Sequence, residues 1–207
     1  MPWSTEDSAV DALDDLFQRR VDPLEQLLDD AEEVARACHA MARRFHQGGK
    51  LIVFGNGGPS TDAQHVAVEF VHPVIVGKRA LPAISLTSDV ATVTGVANGA
   101  GMDEVFAHQV QYLADPDDIA LGISTDGDCT NVLRGLAESR RRDLLTIGLV
   151  GGDGGMLTSA GLDHVLHAQA EDPRVVKEVH VTMYHVLWEL VHVFFEHPGA
   201  LEAEVGA

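Results

Sequence analysis

Apolar residues along the chain fall into two kinds of pattern. Short continuous apolar runs lie at 51–54, 81–86, 119–124, 144–150 and 162–167. Each is flanked by turn residues, and the first is β-branched at Ile52 and Val53, so each predicts a buried strand. Between them the apolar positions recur at helical spacing, which predicts helices over 60–70, 90–96, 102–113, 129–141 and 175–196. Strand alternating with helix predicts an α/β fold, a five-stranded parallel sheet with helices on both faces. Two helices precede the sheet. One spans 4–20 and carries Val10, Leu13, Leu16 and Phe17; the other opens at Pro23 and runs to His46 with Leu24, Leu27, Val34 and Met41 on one side. They exceed what a minimal α/β domain needs, so residues 1–48 are expected to form an oligomerisation unit ahead of a domain at 49–207. The C-terminal helix is long. Its apolar stretch is interrupted by His180, His185, Glu189 and His192, which predicts a buried helix and not a membrane span.

The most informative stretch follows the first strand. Gly55-Asn56-Gly57-Gly58 frees the backbone for positive φ and close ligand approach, and Pro59 suits the first turn of a helix. A strand, a glycine turn and a helix N-terminus together can hold an anion or sugar hydroxyls on backbone N–H groups. His65 and Glu69 lie four apart and share one helix face. The same residues also suit a plain tight turn and a solvated His/Glu pair. The turn lacks the dinucleotide spacing, and no P-loop lysine follows it. Loops 55–59, 87–89 and 124–128 all fall at the carboxyl edge of the predicted sheet, where ligands bind in such folds.

Composition narrows the partners. The 207-residue chain carries a formal charge of −18, which argues against a broad nucleic-acid or anionic-membrane surface but leaves room for a small anionic ligand in a local N–H nest. Cys38 and Cys129 have no paired spacing, as expected of a reducing compartment without a cysteine metal site. Residues 1–10 show no signal-peptide pattern, so a cytoplasmic location is expected.

With the loops placed, the chain resembles the SIS (sugar isomerase) domain family. Within it the chain is most similar to the sedoheptulose 7-phosphate, or phosphoheptose, isomerases; the DnaA-initiator-associating protein is a related non-catalytic branch. The resemblance rests on GNGG at 55–58, DAQH at 62–65, LGIST at 121–125, GGDGG at 151–155 and KEVH at 177–180 with His185. It implies a SIS domain over 49–207 and a homotetramer with sites built from neighbouring subunits. It further implies a zinc ion on His65, Glu69 and His185, with Glu69 as catalytic base and His185 as catalytic acid. Substrate contacts are implied at Asn56, Gly57, Gly58, Asn98, Ser124, Thr125, Asp126 and Lys177. The initiator-associating branch lacks the glutamate, so Glu69 favours an enzyme.

Several positions depart from the family pattern. Lys177 stands where the isomerases carry a glutamine ligand, and a protonated ammonium cannot ligate zinc. Any zinc is therefore expected to bind more weakly than in the isomerases, although Lys177 could lose its proton or swing away. His72 offers a substitute ligand seven residues after His65, although Pro73 disfavours helix there. Pro59 replaces a serine, Pro73 an arginine, and Asn98-Gly99 an Asn-Asp pair. The usual Ser-Thr-Ser-Gly-x-Ser loop reads Ser124-Thr125-Asp126-Gly127-Asp128-Cys129. Asp126 or Asp128 is expected to occupy the anion seat and cap its N–H groups; alternatively both point to solvent, with Asp128 as a helix N-cap. Glu189, His192 and Glu196 on the last helix read as a solvated or subunit-facing stripe. The leading functional expectation is a phosphoheptose isomerase-like aldose–ketose isomerase with an altered phosphate loop. The alternatives are a non-catalytic SIS module that binds a sugar derivative or a protein, and a SIS protein for an unphosphorylated sugar derivative.

Overall fold

The structure, a computed structural model, describes residues 6–197 and 199–202. Ser4 and Thr5, at the expected start of the first helix, lie outside the described residues. The elements are α1 (Glu6–Gln26), α2 (Ala31–His46), β1 (Leu51–Gly55), α3 (Gly58–Val71), β2 (Ala83–Ser85), α4 (Val90–Ala100), α5 (Val105–Leu113), β3 (Ile119–Ser124), α6 (Thr130–Arg141), β4 (Leu145–Val150), β5 (His164–His167), α7 (Pro173–Glu196) and α8 (Gly199–Glu202). Short 3₁₀ turns sit at Met102–Glu104 and Gly155–Ser159.

All five strands are parallel, in the order β2-β1-β3-β4-β5. Every residue of β1, β3 and β4 is buried, because helices cover both faces. Successive side chains alternate between two cores. Leu51, Val53, Leu121 and Ile123 face α2, α3 and α7, whereas Ile52, Phe54 and Ala120 face α5 and α6. The chain leaves β1 for one edge and returns to β3 on the other side. The crevice of this reversal opens between the loops after β1 and β3.

Four expectations change. Pro23 does not open a helix: α1 runs through it to Gln26, and the break falls at 27–30. Leu24 and Leu27 pack on the core, and that burial offsets the one helix bond that proline forfeits. The second strand is three residues long, since Pro82 cannot donate to a ladder; Leu81 and Leu86 are buried at its ends. Helix α4 runs to Ala100, beyond the expected end at 96, and 102–104, expected to open the next helix, form a 3₁₀ turn before α5. His192 is neither solvated nor available to a neighbour. It is 2% exposed, and its ring nitrogens meet the carbonyls of Trp188 and Arg79 at 2.8 and 2.9 Å. Glu189 and Glu196 are exposed as expected.

Candidate active site

The glycine turn takes its shape from one residue that only glycine suits. Gly57 precedes α3 with φ 61°, in the left-handed region, and Pro59 occupies the first helical turn. Asn56 is anchored from the side. Its amide and that of Asn131 exchange hydrogen bonds of 2.6 and 3.0 Å, which hold it at the carboxyl edge of β1 and leave its backbone to the pocket. A cavity of about 200 Å³ opens there, lined by Gly55, Asn56, Gly57, Ser60, Thr87 and Met102.

One turn further along α3, His65 and Glu69 meet His185 of α7. A ligating atom from each lies within 4.8 Å of those of the other two. His65 and Glu69 are half-buried, and His185 is exposed. Two contacts across the α3–α7 seam fix this meeting. Trp188 donates its indole N–H to the Glu69 carbonyl at 2.9 Å, and the Tyr184 hydroxyl lies 2.8 Å from His65 Nδ1. Burial pushes the Tyr184 pKa up, and the charges of Asp62 and Glu69 push it further, so the phenol stays protonated. It can donate to a bare Nδ1 or accept from Nδ1–H. In the first state His65 Nε2–H faces Glu69 Oε1, 3.3 Å away. In the second, Nε2 presents a lone pair to the point shared with Glu69 and His185.

Two imidazoles and a carboxylate converging from two helices, with a hydroxyl behind one imidazole, match the donor set of a three-ligand catalytic zinc. The residues present therefore fit the ion that the family resemblance implies. His72 is not among them. It forms the C-cap of α3 with φ −132° and ψ 74°, exposed and out of helical geometry, as the following proline favours. Lys177 has swung away: its ammonium lies 2.6 Å from Asp62 Oδ1, 3.2 Å from Thr61 Oγ1 and 3.3 Å from the Gly58 carbonyl.

The loop after β3 is closed on itself. Ser124 is fully buried; its hydroxyl accepts from Gly127 N–H at 2.9 Å and donates to Asp126 Oδ1 at 3.1 Å. Asp126 Oδ1 also accepts from Asp128 N–H at 3.0 Å. Asp128 Oδ1 accepts from Met156 N–H at 2.9 Å, and Cys129 takes the N-cap position before α6. Gly127 has φ 79°, and a Cβ there would fall 2.0 Å from the Gly154 carbonyl, so loops 124–128 and 151–155 interlock. Thr125 is half-buried, and its carbonyl faces Gly151. Asn98 is exposed on the last turn of α4 and does not line the cavity.

Residues 17–151 match the SIS domain family. The phosphoheptose isomerase of Solidesulfovibrio magneticus is 41% identical, over 81% of this chain and 82% of its own. That of Crocosphaera subtropica is 37% identical over 91% and 97%. The chain belongs to the SIS domain family, in its phosphoheptose isomerase branch. The solved structure of a phosphoheptose isomerase from Francisella tularensis superimposes on this SIS protein with a TM-score of 0.84, at 31% identity and 89% and 98% coverage. Among the described residues, no helix of the SIS chain is long and apolar enough to cross a membrane.

Sequence reasoning missed Tyr184, Trp188, Asp62 and Asn131 as parts of this site. Tyr184 carried a signal, as a phenol next to His185 inside an apolar helix. Asn131 carried a weaker one, as an amide in the first turn after a polar loop.

Proposed function

We propose that the protein is an aldose–ketose isomerase acting on a sugar of the phosphoheptose class, sedoheptulose 7-phosphate by analogy with the names of its relatives. The observation that carries this reading is the convergence of His65, Glu69 and His185, the first two on the helix that follows the glycine turn. Moving a carbonyl along a sugar needs a base at carbon and an acid at oxygen. Glu69 removes the proton from the hydroxyl-bearing carbon next to the carbonyl. His185 protonates the carbonyl oxygen, the proton held by Glu69 returns to the former carbonyl carbon, and the other hydroxyl gives its proton back to His185. No atom is gained or lost. His65, Glu69 and His185 would hold a zinc ion, which as a Lewis acid would polarise the substrate carbonyl. Tyr184 holds the His65 ring in place, and the backbone of 56–58 faces the sugar.

The protein is further proposed to work as a cytoplasmic homotetramer, with the helices of residues 1–48 and α7 supplying subunit contacts around the 49–207 domain. In support, Val10, Leu13 and Phe17 of α1 are 55%, 49% and 60% exposed, and the apolar α4 buries no residue within the protomer.

A second reading, an isomerase for a sugar without a distal phosphate, is favoured by Asp126, whose carboxylate already occupies the Ser124 hydroxyl and the Asp128 N–H. Incubating the zinc-supplemented protein with sedoheptulose 7-phosphate and with unphosphorylated sedoheptulose, and following the aldose by ¹³C NMR, tests both readings. Turnover of the phosphate supports the first and turnover of the free sugar the second. No turnover of either overturns the isomerase.

A further inference from the structure

Asp62 is 3% exposed, yet it carries a carboxylate. Among the described residues its carboxylate has one hydrogen-bond partner, the Lys177 ammonium, at Oδ1; Oδ2 is buried without a partner. The Lys177 side chain is 42% exposed, so the pair is only half-buried and is weak evidence for stability. Its placement suggests a different purpose. Asp62 stands three residues before His65 on α3, and Lys177 stands two turns before His185 on α7. The family resemblance puts a glutamine ligand of the ion at this position, so a charge here bears on the trio. The three donors of Lys177 are instead taken up by Asp62, Thr61 and the Gly58 carbonyl.

We propose that Asp62 is a positioning residue that parks the Lys177 ammonium on the first turn of α3 and neutralises it there, so that the His65/Glu69/His185 trio accepts a divalent cation despite a lysine beside it. This rests on the zinc reading of the trio. An ammonium released within one or two helix turns of a divalent ion lowers its affinity by Coulomb repulsion that solvent only partly screens.

The test is a charge-swap cycle read as Zn²⁺ affinity, by competition with a chromophoric chelator on the full chain. Asp62→Asn frees an unneutralised ammonium and should weaken Zn²⁺ binding about tenfold. Lys177→Met leaves an unpaired carboxylate near the trio and should tighten it by a similar factor. The double variant should return to near the wild-type value. Opposite signs for the single variants, cancelling in the double, are not produced by general loss of structure, and circular dichroism of each variant confirms the fold. Equal Zn²⁺ affinity in all four proteins, or weakening in both single variants, overturns the proposal while leaving the zinc site standing. If wild type binds no Zn²⁺ that His65→Ala and His185→Ala abolish, the zinc reading itself fails and this inference with it.

Discussion

The seam between α3 and α7 and the loop after β3 treat their polar groups in opposite ways. At the seam, His65, Glu69 and His185 come from two helices and turn their ligating atoms toward one shared point. At the loop, Ser124, Asp126 and Gly127 turn theirs toward one another. The seam can keep its convergence because the Trp188 and Tyr184 contacts hold it from behind, leaving the functional side chains free. The loop is backed too, by its interlock with 151–155, but there the Asp126 carboxylate is engaged by the Ser124 hydroxyl and the Asp128 N–H of its own loop. An ionised carboxylate near a helix N-terminus is favoured on its own account by about 0.3–1 kcal/mol. On the proposed function, the seam would keep the reaction centre while the loop alters what is read at the far end of the substrate.

The largest test of this contrast is Glu69→Gln. Loss of the base should lower isomerisation by about 10²–10⁴-fold while thermal stability changes little. A variant that keeps wild-type turnover would remove the seam from the chemistry. Next in size is Tyr184→Phe. Without the hydroxyl behind His65, Zn²⁺ affinity should fall about 10–100-fold, measured by chelator competition. An unchanged affinity would mean that packing alone orients the ring.

The loop side is tested by Asp126→Ser, which restores a donor where an acceptor stands. Binding of sedoheptulose 7-phosphate, measured by isothermal titration, should tighten about tenfold, on the order of one charge-assisted hydrogen bond. Micromolar binding by wild type, unimproved by the serine, would show that the closed loop opens for phosphate and would erase the contrast.

The smallest effect concerns pH. His180 of α7 is 1% exposed, and burial holds its pKa below the ordinary value of 6.5, against the opposing pull of the Val150 carbonyl and Asp62. The unfolded chain therefore takes up a proton near pH 6.5 that the folded protein refuses, so stability falls as pH drops through that value. Between pH 7 and pH 6 the loss from this residue should be roughly 0.7 kcal/mol in urea unfolding, and His180→Asn should flatten it. The loop carboxylates, exposed at Asp126 and Asp128, contribute no comparable burial.

Much of this protein could be read from local spacing. β-Branched apolar runs followed by glycine specified β1 and its turn, because a fully buried parallel strand needs apolar side chains on both faces. The four-residue step from His65 to Glu69 placed them together, because that is helix geometry and needs no knowledge of the rest of the fold. The motif at 121–125 and His185 pointed to the family for the same local reason. Contacts between distant segments were beyond such reading. Only the packing of α3 on α7 decided that His185 reaches His65 and Glu69 across more than a hundred residues, and that Tyr184 stands behind His65. It also drew Lys177 to Asp62, and it buried His192, which the helical stripe had assigned to the surface. Pro23 shows the same limit in reverse. Its local preference for starting a helix gave way to the burial of Leu24 and Leu27. Spacing determines which side chains share a face, but the partner of that face is chosen by the free energy of the whole packed core.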